Sequence, residues 1–147
     1  KTKTLPALGS GSRREEAAQV AKGGYVVYDS AKPVVVMLAT GSEVATLIEG
    51  AELLAAEGIP VRVVNMPSEG LFRDQPRSYQ ESVLPQGVMR YGMTSGLPVN
   101  LLGLVGDESH IHGLNHFGFS APYKVLDEKF GYNGATVAAE VKKLLGR

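Results

Sequence analysis

Short apolar runs alternate along the chain with stretches in which apolar residues recur at helical spacing. The run Val34–Ala39 is apolar at every position, which is typical of a strand inside a parallel sheet. Apolar residues then recur at helical spacing from Val44 to Ala55, and a second strand is expected at Ile59–Val64. Because a strand, a helix and a strand follow one another within about thirty residues, this segment predicts a right-handed βαβ unit and therefore a parallel sheet.

Capping and turn residues indicate where the longer helices begin and end. Ser42 is expected to cap the first long helix, and Gly58 is expected to end it. Ser120 is expected to cap a later helix that ends at Phe130, with Pro122 in its first turn. Both helices therefore have a predicted start that depends on a serine side chain.

The remaining segments complete an α/β pattern. Further strands are expected at Tyr25–Tyr28, Val88–Met93 and Leu101–Val105, with His110–Leu114 as a candidate partner strand. A short turn of helix is expected at Glu69–Gln75, a short helix or an irregular turn at Tyr79–Leu84, and a final amphipathic helix at Ala135–Leu145. Together these elements predict an α/β fold of three layers, α/β/α, around a mostly parallel sheet of roughly five strands.

The beginning of the chain has a different character. Lys1–Lys22 contains the run Gly9-Ser10-Gly11-Ser12 and the charged run Arg13-Arg14-Glu15-Glu16, and its apolar residues are too sparse to define a buried face. We therefore expect residues 1–22 to form a linker from a preceding domain. Residues 23–147 are expected to form the domain itself.

The overall charge and composition exclude several classes of function. The 147 residues include 15 Lys and Arg and 15 Asp and Glu, for a formal net charge of zero, so neither nucleic acid nor a membrane surface is an expected partner. The longest apolar run is far shorter than the roughly 20 residues needed to cross a bilayer. The absence of cysteine excludes disulfides, a thiolate nucleophile and cysteine-ligated zinc, and it fits a reducing compartment such as the cytoplasm.

Three histidines near the end of the chain suggest a metal site. His110 and His112 would point to the same face of a strand, and His116 or Asp107 would have to supply a third ligand, with Glu108 nearby. The alternative is that these histidines form hydrogen bonds at a sheet edge or lie at the surface. Since the common nucleotide-binding, hydrolase and metalloprotease motifs are also absent, no catalytic residue, cofactor-binding residue or metal ligand is assigned.

The turn that follows the first apolar strand is a candidate anion site. The backbone N–H groups of Thr40-Gly41-Ser42 begin a helix, and helix N-termini attract anions. Ser68 follows the next parallel strand and should lie at the same sheet edge, and Ser120 begins another predicted helix. The alternative is that Ser42 and Ser120 only cap their helices.

Six short motifs follow one another along most of the chain. They are Leu5-Pro6, Val20–Val26, Ala39–Val44, Val61–Pro85, Phe117–Pro122 and Phe130-Gly131. In this order and at this spacing they resemble the C-terminal domain of transketolase, most specifically where a strand ends in Met66-Pro67-Ser68 before Leu71-Phe72 and Val83-Leu84-Pro85. The chain departs from the family pattern at Arg90–Pro98, where an acidic residue and a Gly-Trp pair are usual, and it contains no tryptophan.

The resemblance implies a longer parent protein with several domains. Transketolases are homodimeric transferases that move a two-carbon ketol unit between sugar phosphates of the pentose phosphate pathway. They use thiamine diphosphate and a divalent cation, Mg²⁺ or Ca²⁺. The cofactor lies between a pyrophosphate-binding domain and a pyrimidine-binding domain, both upstream of the C-terminal domain, and the catalytic Glu and the metal ligands belong to those upstream domains.

Two functions from different classes follow from this resemblance and from the anion motif. The first is a non-catalytic domain that supports the fold and the homodimer of a cytoplasmic transketolase, and that is inactive alone and binds no cofactor. The second is a regulatory module of a thiamine diphosphate enzyme that binds a small anion or a nucleotide at Thr40, Gly41, Ser42, Ser68 and Ser120.

Overall fold

The computed structural model describes Leu8 and residues 11–147. In that part of the chain the strands are β1 (Tyr25–Tyr28), β2 (Val35–Ala39), β3 (Val61–Asn65), β4 (Met89–Met93) and β5 (Ile111–His112). The α-helices are α1 (Arg13–Ala17), α2 (Glu43–Ala56), α3 (Glu69–Arg73), α4 (Arg77–Val83), α5 (Val99–Val105), α6 (Tyr123–Phe130) and α7 (Gly134–Leu144). Short 3-10 helices lie at Ala18–Lys22 and Glu108–His110.

The strand β2 lies at the centre of the sheet, and all five of its residues are buried. It pairs in parallel with β3 on one side and with β4 on the other. Beyond them, β1 pairs antiparallel with β3, and β5 pairs in parallel with β4, so the strand order is β1-β3-β2-β4-β5. This order confirms the predicted sheet of five mostly parallel strands.

Alternate residues of β2 belong to two hydrophobic clusters on opposite faces of the sheet. Val35, Met37 and Ala39 pack with α2 and α7, for example with Leu47 and Val137. The other two residues of β2, Val36 and Leu38, pack with apolar residues of α3, α4 and α5. Since helices cover both faces, the three-layer α/β/α architecture is confirmed, and it explains why β2 is apolar at every position.

The prediction of a strand at Leu101–Val105 is wrong. This segment belongs to the helix α5, which begins after Pro98 and ends at Gly106, whose φ of +94° is left-handed. Leu104 and Val105 are buried against the sheet, and Leu101 packs against the same cluster. A short apolar run fits a buried helix as well as a strand, and the flanking proline and glycine were the signals that favoured the helix.

The two predicted serine caps are also wrong. The side chain of Ser42 makes no capping bond to α2. The helix α6 begins at Tyr123 after Pro122, so Ser120 lies outside it. Both helices still end as predicted, because Gly58 and Gly131 adopt left-handed φ values of +73° and +76°.

The predicted linker is helical from Arg13 to Lys22. Ser12 and Glu15 form a capping box at the start of α1, in which the Glu15 backbone N–H donates to Ser12 Oγ and the Ser12 N–H donates to the Glu15 carboxylate. Arg13 Nη2 donates to the carbonyl of Val27 in β1 at 3.1 Å. Residues 1–7, 9 and 10 of the predicted linker lie outside the described residues, so the boundary at Gly23 stays a prediction.

None of the helices in the described part of the chain is both long enough and apolar enough to span a bilayer. The longest one, α2, has 14 residues and packs along the sheet.

The helices α2 and α7 approach each other most closely at Gly134. A Cβ atom on this residue would lie 2.7 Å from Glu49 Cβ and 2.9 Å from the Glu49 carbonyl carbon. On the other side of the crossing, a Cβ on Gly50 would lie 2.5 Å from Val137 Cγ1. The contact between the two helices therefore depends on the absence of two side chains.

We predict that Gly134→Ala lowers the free energy of unfolding by about 1–3 kcal/mol, because the added methyl group forces α7 away from backbone atoms of α2. Gly70→Ala in α3 is the matched control, since nothing lies within 4 Å of its added Cβ, and it should leave stability unchanged or raise it. Urea unfolding followed by circular dichroism measures both. Equal effects of the two substitutions would contradict the close crossing.

Candidate functional site

The carboxyl ends of β2 and β3 meet at one edge of the sheet. The strands are parallel with Ala39 opposite Asn65, so the turn Thr40-Gly41-Ser42 and the segment leading to Ser68 leave the sheet on the same side. The Met66 backbone N–H donates to the Ala39 carbonyl at 2.8 Å and holds the two exits together. The structure therefore places four of the five predicted anion-binding residues at a common edge.

The charge at this edge opposes anion binding. Ser42 Oγ donates to Glu43 Oε1 at 2.8 Å, so the hydroxyl proton is already hydrogen-bonded to a carboxylate. Glu43 is the first residue of α2, and its negative charge already lies at the positive end of the helix. A bound anion would have to lie beside that carboxylate.

The other two predicted serines have different environments. Ser68 caps α3, because its Oγ accepts a hydrogen bond from the Leu71 backbone N–H at 3.3 Å. Ser120 is exposed in the loop before α6. None of the five predicted residues lines any of the four cavities described below, so anion binding stays a prediction without a cavity to support it.

A surface of exposed apolar side chains lies beyond the carboxyl ends of β4 and β5. Its members, which we call the docking surface, are Leu97, Phe117, Phe119 and Tyr123, with exposed fractions of 52%, 97%, 58% and 55%. Two cavities of about 490 and 200 Å³ adjoin here, and both are lined by Ser95, Leu114 and Gly118. The four side chains therefore belong to one continuous region.

Aromatic contacts hold one side of the docking surface. The ring of Phe119 lies 5.6 Å from that of Phe130, and the ring of His116 lies 5.3 Å from that of Phe130. Lys129 Nζ lies 4.5 Å from the centre of the Phe119 ring. Phe117 has almost its whole side chain in solvent, which is unusual for a large apolar residue in a folded domain.

The three histidines have different partners and do not form a ligand set. His112 contacts Glu140 and the Phe130 carbonyl, whereas His116 Nδ1 lies 2.8 Å from the carbonyl of Phe117. His110 Nε2 lies 4.0 Å from Asp107 Oδ2. Across Leu8 and residues 11–147, no three His, Asp or Glu side chains are grouped in a way that could hold a metal ion.

Sequence reasoning missed Glu140, which is the main partner of His112. The two residues are 28 positions apart and lie on β5 and α7. Glu140 also accepts a hydrogen bond from the hydroxyl of Tyr91 in β4 at 2.7 Å. No local motif joins the three residues, and only the packing of α7 on the sheet brings them together.

A cavity of about 170 Å³ is lined by three arginines, and each of them has a structural partner. Arg90 Nη1 donates to the Leu104 carbonyl at 2.6 Å, and Arg73 Nη2 donates to the Gly103 carbonyl at 2.9 Å. These carbonyls belong to the last turn of α5, which has no further helical N–H to bind. Arg77 pairs with Glu81 in the next turn of α4. The arginines are therefore explained by helix ends and ion pairs.

The family model for the transketolase-like C-terminal domain matches residues 23–133 of the chain. The chain belongs to this transketolase family. This match confirms the predicted resemblance to the C-terminal domain of transketolase.

The similarity to individual transketolases covers nearly the whole chain. Transketolase 1 of Vibrio vulnificus (strain YJ016) is 43% identical over 133 residues, which is 89% of this chain and 20% of that protein. The transketolase from Leishmania mexicana is 35% identical with a TM-score of 0.77, and the match covers 92% of this chain and 19% of the Leishmania chain. The transketolase from Pichia stipitis in complex with sedoheptulose-7-phosphate is 30% identical with a TM-score of 0.80, and the match covers 95% of this chain and 20% of the Pichia chain.

The chain spans about a fifth of the length of the curated relatives that it matches. Its transketolase motifs concentrate at one end of the sheet. Ala39–Val44 begins at the last residue of β2, Met66-Pro67-Ser68 follows β3, and Phe117–Pro122 follows β5 and contains two of the four docking-surface side chains. Three of the motif segments therefore lie at the carboxyl edge, together with the docking surface.

We predict that Ser68→Ala lowers the free energy of unfolding by about 0.5–2 kcal/mol, because the substitution removes the oxygen that accepts from the Leu71 N–H. Ser42→Ala is the matched control, since Ser42 makes no capping bond, and it should change stability by less than about 0.5 kcal/mol. Thermal unfolding of both variants measures the difference. A larger loss for Ser42→Ala would contradict the assignment of the caps.

Proposed function

We propose that the chain is a non-catalytic domain of a transketolase that supports the fold and the homodimer of the complete enzyme. The observation that carries this proposal is the docking surface, an unpartnered group of large apolar side chains on a chain that corresponds to a fifth of its relatives. Exposed apolar patches of this kind mark surfaces that bind another protein, a membrane or a ligand. We assign the partner subunit of the homodimer as the cover.

The complete protein is proposed to move a two-carbon ketol unit between sugar phosphates, with thiamine diphosphate and Mg²⁺ or Ca²⁺ as cofactors. A metal-bound diphosphate needs clustered oxygen ligands. The described residues of this chain do not fit such a group, because no three acidic or histidine side chains converge. We therefore assign the cofactors and the catalytic residues to the upstream pyrophosphate- and pyrimidine-binding domains, and we derive no chemical step from this chain.

A cytoplasmic location, and the absence of nucleic acid and membrane partners, belong to the same proposal. They are supported by the equal numbers of acidic and basic side chains and by the lack of cysteine. A regulatory anion site at Thr40, Gly41, Ser42, Ser68 and Ser120 is not favoured, because the Glu43 carboxylate lies at the same helix end.

We predict that Phe117→Ser combined with Phe119→Ser weakens the homodimer of the complete protein at least tenfold. Each phenylalanine buried at an interface contributes roughly 1.5–3 kcal/mol, and about 1.4 kcal/mol corresponds to a factor of ten in the dissociation constant. Sedimentation analysis over a dilution series measures the dissociation constant, and ketol transfer should fall in parallel with the dimer.

Leu53→Ser is the control for this experiment, because Leu53 is 46% exposed on the outer side of α2, away from the docking surface. It should leave the dimer unchanged. A double variant that dimerises as tightly as the unaltered protein would overturn the assignment of the docking surface to the partner subunit.

A further inference from the structure

Both ring nitrogens of His112 face hydrogen-bond acceptors. Nδ1 lies 3.0 Å from Glu140 Oε1 and 3.2 Å from Oε2, and Nε2 lies 2.8 Å from the carbonyl oxygen of Phe130. A carbonyl and an ionised carboxylate have no proton to donate, so each nitrogen must carry one. A neutral imidazole has a single N–H, and the arrangement is therefore complete only when His112 is a cation.

We propose that His112 is a pH-sensitive latch: in its cationic form it fastens the end of α6 and the helix α7 to the edge strand β5, and loss of its proton releases one of the two contacts. The backbone of His112 is fixed independently, because its carbonyl accepts from the Thr94 N–H at 2.9 Å and β5 pairs with β4. The side chain is thus a movable contact between β5 and the C-terminal helices, beside the hydrogen bond from Tyr91 of β4 to Glu140 of α7. This inference does not depend on the proposed function.

Glu140 supplies the opposite charge. Burial by itself would raise the pKa of Glu140, but the hydrogen bonds from His112 and Tyr91 and the nearby charges of His112 and Lys143 hold this pKa below its ordinary value. The carboxylate is therefore ionised at neutral pH. Tyr91 Oη at 2.7 Å fixes its orientation from β4, so that both oxygens remain directed at the imidazole.

The charged and titratable groups around His112 come from every element that packs on it. Tyr91 faces His112 from β4, and Glu140 and Lys143 face it from α7. The ring of Tyr132 lies 4.9 Å from the imidazole ring, and the two ring planes are nearly perpendicular. Burial raises the pKa of Tyr132 to about 12, and burial with the charge of Glu140 raises that of Tyr91 further. Both tyrosines thus keep their protons at neutral pH.

Solvent can reach the latch. A cavity of about 470 Å³ opens beside it and is lined by Tyr91, Ser109, His112, Glu140 and Lys143. Burial disfavours the charge on His112, but the hydrogen bond and charge of Glu140 and the Phe130 carbonyl raise its pKa above the ordinary value. A proton can therefore be exchanged with water without unfolding of the domain.

The direction of the pH effect follows from these shifts. Because the pKa of His112 is raised in the folded state, its contribution to stability is fully present below its unfolded value of about 6.5 and is lost as the pH rises through the raised value. Because the pKa of Glu140 is lowered, its contribution is present above its unfolded value of about 4.3 and is lost as the pH falls through the lowered value. The latch is closed between the two folded-state pKa values.

The direct test is an NMR titration of the histidine rings in the folded chain. We predict that His112 titrates above pH 6.5, and that Glu140→Gln, which keeps the shape but removes the charge, lowers its midpoint by roughly one unit or more. His116→Gln is the control, because His116 lies against the Phe117 carbonyl and the Phe119 and Phe130 rings and makes none of the His112 hydrogen bonds, so it should leave the His112 midpoint unchanged. A His112 midpoint at or below 6.5 in the unaltered chain would overturn the proposal, whether or not the variants fold.

A second readout separates a latch from a general loss of stability. Hydrogen exchange at the backbone amides of α7, corrected for the intrinsic effect of pH, should accelerate as the pH rises through the His112 midpoint, whereas amides of β2 should not respond. In Glu140→Gln this pH step should disappear from α7. Protection of α7 that is independent of pH in the unaltered chain would contradict the latch.

Discussion

The burial of β2 on both faces is the constraint on which the rest of the structure depends. Its five residues are fully enclosed, so helices have to cover the sheet on both sides, and the chain has to cross over between parallel strands. The close crossing of α2 and α7 at Gly50 and Gly134 completes one cover. On the other side, Arg73 and Arg90 fix the last carbonyls of α5, which keeps this short helix on the sheet.

In a sheet covered by helices on both faces, the loops at the carboxyl edge are where polar and exposed apolar side chains can be placed. The turns after β2 and β3 and the loop after β5 all leave the sheet there, and these segments contain Thr40–Val44, Met66-Pro67-Ser68 and Phe117–Pro122 of the transketolase motifs. At this edge Ser68 caps α3 and Ser42 donates a hydrogen bond to Glu43, and the phenylalanines Phe117 and Phe119 are exposed. Such a surface is suited to packing against protein. Among the residues that the structure describes, no three His, Asp or Glu side chains are grouped to hold the metal of a metal-bound diphosphate.

The sequence was sufficient to predict the helices and strands whose pattern of apolar residues is determined by burial. Val34–Ala39 and the helix after it were recognisable because a strand covered on both faces is apolar throughout and a helix on a sheet is apolar on one side. Leu101–Val105 was misassigned because a short apolar run fits either structure. Ser42 was misassigned as a cap because its neighbour Glu43 takes its hydroxyl group, and the pairing of His112 with Glu140 has no local signal at all.

The central claim is that this chain supplies structure and an interface to a transketolase, while the cofactor chemistry belongs to other domains. Titration calorimetry of the purified, folded chain with thiamine diphosphate in the presence of Mg²⁺ tests this claim most directly. The account predicts no heat beyond that of dilution, with or without the metal ion. Saturable binding of the cofactor that requires Mg²⁺ would contradict it.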